Sequence, residues 1–190
     1  MEEEKTPNKK KLVDRIFKPV MIICAIIIVC SIIALKLSTW NDARRIENIM
    51  QNGTTEQKIQ VIFTEHFEKD YDLVNSSFDE EFKVAELTLR EKYESTIDYS
   101  VKNAAVAFIG LAKYLFQIEG IESISVDFNY TFLDEYGNES EKPGILSGTT
   151  KEEMSDVNYD NFPNMVWDDY TKLEKVARFI VSPALKKASE

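Results

Sequence analysis

The sequence predicts an α+β domain carried behind an N-terminal transmembrane helix. Three observations lead there. Residues 19–35 contain no charged side chain. Residues 121–133 alternate apolar and polar side chains with the period of two that a half-buried strand shows. Residues 103–118 are apolar on nearly every side, which marks a buried core helix. The expected architecture is a three- to four-stranded, mainly antiparallel sheet, a buried central helix and a C-terminal amphipathic helix.

The anchor comes first along the chain. About 18 to 20 apolar residues at 1.5 Å each span a hydrocarbon core of about 30 Å, and the run from Pro19 to Leu37 has that length. Pro19 opens it, where a helix tolerates proline. Val20, Ile27 and Leu35 supply lipid-facing bulk, and Trp40 falls where an interfacial aromatic belongs. Lys5, Lys9, Lys10, Lys11, Arg15 and Lys18 precede the run, against Lys36, Arg44 and Arg45 after it. That asymmetry puts the N-terminus in the cytoplasm and the C-terminal domain outside it. The run is long for a signal peptide, and no small-x-small cleavage site follows it. Four segments result: a cytoplasmic tail (1–18), the span (19–37), a juxtamembrane helical stalk (38–53) and an extracytoplasmic domain (54–190).

Charge divides unevenly between them. Residues 1–39 carry seven basic and four acidic side chains, residues 40–190 sixteen and twenty-nine. An outer domain this acidic repels phosphate, which argues against a nucleic-acid partner. Cys24 and Cys30 both lie in the apolar run. The outer domain therefore folds without disulfides and holds no thiol nucleophile.

Thr54 and Gln57 have capping-box spacing, and Ile59, Ile62, Phe63 and Phe67 share a face, so a helix is expected over roughly 55–69. Residues 70–82 read as a connection. Residues 84–90 alternate and predict a strand, with 95–101 as its antiparallel partner. The core helix follows over 103–118 and stops at Gly120; Lys113 and its short length argue against a second span. The strand 121–133 leads into a turn-rich loop over 134–148, with at most a short strand at Ile145-Leu146. Thr149 or Thr150 with Glu152 and Glu153 starts a short helix. Trp167 to Val181 predicts the last amphipathic helix, ended by Pro183.

This order, with the runs Ala85–Tyr93, Thr96–Tyr99, Lys102–Phe108 and Ile121–Phe128 and the helix start Thr150-Lys-Glu-Glu153, resembles an extracytoplasmic domain of Gram-positive bacteria. That domain occurs in small single-pass membrane proteins and beside membrane peptidases of the beta-lactam-sensor type. The resemblance covers roughly residues 84–181 and rests on fold-defining apolar positions. It implies a location and a fold, with regulation of a membrane partner. The family has no established activity to carry over.

Residues that could do chemistry are few. His66 is the only histidine, so neither a multi-histidine metal site nor a Ser-His-Asp triad is available. It is expected on the polar face of its helix. The oxygen-rich loop Asp134–Glu141 lacks EF-hand spacing and reads as a solvated turn rather than a calcium site. Asp79-Glu80-Glu81 and Asp168-Asp169 are sequence neighbours, not carboxylates facing each other across a cleft. Tyr159, Phe162 and Trp167 form a candidate interaction patch around Pro163, buried if they pin the C-terminal segment to the core. The expectation is a membrane-anchored binding or regulatory module acting on another envelope protein, with a structural subunit of an envelope machine as the alternative. Neither enzymatic activity nor a cofactor is expected, and the partners are the lipid bilayer and a membrane or envelope protein.

Overall fold

A computed structural model describes residues 42–93, 96–133 and 136–187. Contacts divide the chain into two units, Met1–Asn48 and Ile49–Glu190. Of the first, only 42–48 are described, and they are helical. The anchor residues Pro19, Val20, Ile27, Leu35 and Trp40 lie outside the described residues. Among the described residues, no helix is long and apolar enough to cross a membrane.

The second unit begins with helical residues 49–52 and continues with α1, Thr55–His66. Its capping box forms as the spacing predicts. The Gln57 N–H donates to Thr54 Oγ1 at 3.3 Å, and the Thr54 N–H donates to Gln57 Oε1 at 3.0 Å. Then come β1 (Tyr71–Asp79), β2 (Val84–Glu91), α2 (Ile97–Leu115), β3 (Ser123–Leu133) and β4 (Glu139–Thr150). A short α3 (Phe162–Asp168), a 3-10 turn (Tyr170–Lys175), β5 (Arg178–Val181) and α4 (Pro183–Lys187) follow.

The five strands lie in the order β1-β2-β3-β4-β5. β2 and β3 are parallel, and every other neighbouring pair is antiparallel. α2 is the crossover that a parallel pair requires. Its Ala104, Ala105 and Ala112 are fully buried, and their small side chains let the helix lie close to the sheet. Phe108, Leu111 and Leu115 meet a core that includes Ala85, Leu89, Ile124, Val126, Phe128 and Ile145. Two polar side chains that β4 turns inward spend their hydrogens on backbone. Ser147 donates to the Val126 carbonyl at 2.9 Å and Thr149 to the Val176 carbonyl at 2.7 Å.

The opposite face of the sheet carries no covering element among the described residues. It is laced by a ladder across the strands. Arg90 pairs with Asp72 at 3.1 Å and with Glu141 at 3.2 Å, and Asn129 Nδ2 donates to Glu141 at 3.1 Å. The Arg90 guanidinium holds the Asp72 carboxyl below the usual carboxylate range. Exposed pairs of this kind set register more than they stabilise.

Several expectations are corrected. The sheet has five strands rather than three or four, and it is mixed: mainly antiparallel, with the one parallel pair β2–β3. Residues 71–79 are a strand whose alternation is broken by a bulge between Leu73 and Asn75. Residues 97–101 are the first turns of α2 rather than a strand, closed by an Asp98–Lys102 ion pair at 2.8 Å. The expected loop over 134–148 is mostly β4, in which Pro143 and Gly144 sit at a second bulge. In place of a C-terminal amphipathic helix over 167–181, the chain forms the end of α3, the 3-10 turn and β5. Strand pairing with β4 claims Phe179 and Val181.

Gly144 faces the Tyr130 ring, where a Cβ would meet Cδ2 at 2.5 Å. Gly144→Ala is expected to destabilise the domain by about 1–3 kcal/mol through overpacking. At Gly148 a Cβ would touch only the Ile124 carbonyl, at an ordinary 3.4 Å. Gly148→Ala is expected to be neutral or slightly stabilising. Urea unfolding of the two variants checks this; equal stability would show that the Tyr130 ring moves freely.

Candidate functional site

The parallel pair decides where a site is available. In open sheets ligands sit outside the carboxyl ends of parallel strands, where the crossover helix begins. At the carboxyl end of β2 the structure has a groove of about 610 Å³. One wall is a stripe of α2: Tyr99, Asn103, Gly110 and Tyr114, spaced so that they share a helix face. The other wall comes from the end of α1 and the strand ends, with His66, Phe67, Tyr71, Glu91 and Tyr93.

Each wall is held from behind. Gly110 has no side chain, so the Phe67 ring lies against the helix backbone; a Cβ there would meet two ring atoms at 3.2 Å. The His66 ring stacks on Tyr114 at 3.9 Å, with 5° between the planes. Tyr99 meets Trp167 edge to face at 5.2 Å. Tyr93 and Tyr99 stand on the rim, 63% and 47% exposed.

The floor is polar at one point. Tyr71 and Glu91 are directly paired across β1 and β2. Asn103 Nδ2 donates to Glu91 Oε1 at 3.2 Å. The Tyr71 side chain is buried, 4% exposed, and its hydroxyl has no hydrogen-bond partner within the protein. Burial first, and then the Glu91 charge, push the phenol well above its ordinary range, so it stays protonated. The Tyr130 hydroxyl is also buried without a partner, but its ring lies against Gly144 and is not among the residues lining the groove.

The sequence-predicted residues fall differently. Tyr159 and Phe162 pack half-buried against the core, and Trp167 reaches the groove only by backing Tyr99. His66 is exposed, as expected of a polar-face residue, and its ring leans on Tyr114. Within Asp134–Glu141, the first two residues lie outside the described ones, and Glu141 is engaged by Arg90 and Asn129. Among the described residues no group of three metal-ligating side chains occurs. Tyr71, Glu91, Tyr99 and Tyr114 escaped the sequence reading. The signal available was the spacing Tyr99, Asn103, Gly110, Tyr114, which becomes a stripe only once 97–101 is helical.

Comparison with known proteins yields no match to a family model, to a curated sequence or to a solved structure.

An unpartnered buried hydroxyl costs stability, about 1–3 kcal/mol. Tyr71→Phe removes the oxygen and keeps the ring. It is expected to stabilise the ligand-free domain by about 1 kcal/mol in urea unfolding. A loss of stability would show that the hydroxyl is satisfied inside the fold.

Proposed function

We propose that this chain is a ligand-binding module, not an enzyme, held at the outer face of a membrane by the apolar segment 19–37. Occupancy of its groove is relayed to another envelope protein. The observation that carries the reading is the Tyr71 hydroxyl, buried in the floor of an aromatic groove and left without a partner by the fold. Groups that serve only stability are normally satisfied internally. A concave site with a few convergent polar groups and aromatic walls is the usual form of a small-molecule pocket, and 610 Å³ lies within its normal range. Binding rather than chemistry is favoured because His66 is stacked on Tyr114 instead of bonded to a carboxylate that would make it a base.

Location is supported by the sequence: the uncharged run, its flanking charges and the resemblance to extracytoplasmic domains. The alternative, a structural subunit of an envelope machine, draws on the open face of the sheet. There Leu146 and Ile180 pair across β4 and β5, and both are exposed.

Thermal unfolding of the full-length chain in detergent, against a panel of small amines, carboxylates, amino acids and sugars, tests the site. At least one class is expected to raise Tm in the native chain and not in Asn103→Trp, which fills the groove from α2. If no class stabilises the protein, or if Asn103→Trp keeps its response, the groove is not the site. Topology is tested separately. A phosphatase that works only outside the cytoplasm, fused at the C-terminus, is expected to be active; inactivity would reverse the orientation.

A further inference from the structure

The groove's chemistry narrows its ligand to one class. The carboxylates lining it are Asp70 and Glu91, and among the described residues no Lys or Arg lines it. Two cations on the neighbouring elements are committed elsewhere. Lys92 faces Asp72 at 3.5 Å, and Lys102 pairs with Asp98 at 2.8 Å. An anionic ligand would meet two carboxylates in the lining, at a cost that grows as water is excluded.

A cation finds the reverse. Aromatic faces attract positive charge through the ring quadrupole, and phenols do so when the cation lies within about 6 Å of the ring centroid. Tyr93 and Tyr99 stand at the mouth, and Phe67 and Tyr114 lie deeper. The Tyr71 oxygen accepts a hydrogen bond, and Glu91, steadied by Asn103, accepts a charge-assisted one. A bare metal ion would leave the aromatic walls unused and would find no set of three ligating side chains among the described residues. Residues 40–190, with sixteen basic and twenty-nine acidic side chains, also draw cations toward the domain.

We propose that the groove binds a small organic amine in its protonated form. The ammonium sits between Glu91 and the Tyr71 hydroxyl, and the apolar body lies against Tyr99, Phe67 and Tyr114. This deepens the ligand-binding reading and rests on it.

Three matched probes test the charge: phenethylamine, neutral 2-phenylethanol and anionic 3-phenylpropanoate, titrated into the full-length chain in detergent. Trp167, in contact with Tyr99, gives a fluorescence readout beside calorimetry. Phenethylamine is expected to bind at least about tenfold more tightly than either of the others, the factor one charge-assisted hydrogen bond supplies. Glu91→Gln keeps an acceptor for Asn103 and is expected to lower the amine-to-alcohol affinity ratio about tenfold. Asp70→Asn is expected to lower it by less. Equal affinity for the three probes, or preference for the carboxylate, would overturn the cation assignment and leave a groove that binds ligands. An unchanged ratio in Glu91→Gln would also overturn it. Binding of none of the three at millimolar concentration overturns the amine assignment. The ligand-binding reading falls with it only if the wider panel also leaves Tm unmoved.

Discussion

The parallel pairing of β2 and β3 is the constraint on which the rest of this domain depends. Two parallel neighbours cannot be joined by a hairpin, so the chain must return the full length of the sheet. α2 makes that return. Its nineteen residues span roughly 28 Å, and the eight residues of β2 span roughly 26 Å. Helix and strand therefore match in length, and α2 covers the middle of the sheet from end to end. That burial accounts for the composition of α2, with alanines where the backbone must come close and Phe108 and Leu111 where there is depth to fill. It also fixes the groove. The first turns of α2 must rise beside the carboxyl end of β2, and the side chains there face the end of α1 across a gap that neither element fills.

Legibility in the sequence follows the strength of the local pattern. The Thr54–Gln57 cap, the core helix and the strand 123–133 were readable because each carries an uninterrupted period or a fixed spacing. The elements that escaped have their period broken. In β1 the bulge after Leu73 shifts the alternation, so Tyr71 and Leu73 share a face with Ser76 and Phe78 instead of Asn75 and Ser77. In β4, Pro143 and Gly144 look like a loop, and they occupy a bulge. β5 holds only Arg178–Val181, too short to show a period, and what makes it a strand is β4, a non-local partner. The 95–101 segment has β-branched residues at Thr96, Ile97 and Val101, yet the ion pair from Asp98 to Lys102 and the packing of Val101 favour the helix. The groove was illegible for the same reason. Its walls join 97–101 and Tyr71, which the local signals misassign, to helical residues 103–114 and His66, which they read correctly.

Two sets of polar groups in this domain have been treated differently by the fold. On the open face of the sheet, Asp72, Arg90, Glu141 and the amide donor of Asn129 satisfy one another across four strands. Inside, Ser147 and Thr149 are spent on backbone carbonyls. These groups hold register and leave little for a ligand to gain. Among the described residues, three buried atoms escape the pattern: the Tyr71 and Tyr130 hydroxyls and the Asn129 amide oxygen. The Tyr130 ring lies against Gly144, and Asn129 already spends its donor on Glu141. Tyr71 alone of the three lines the groove. Its desolvation is a cost that folding incurs and that a bound ligand would relieve. The fold thus leaves polar capacity unused at its helical face, in a groove whose acidic lining favours positive over negative charge.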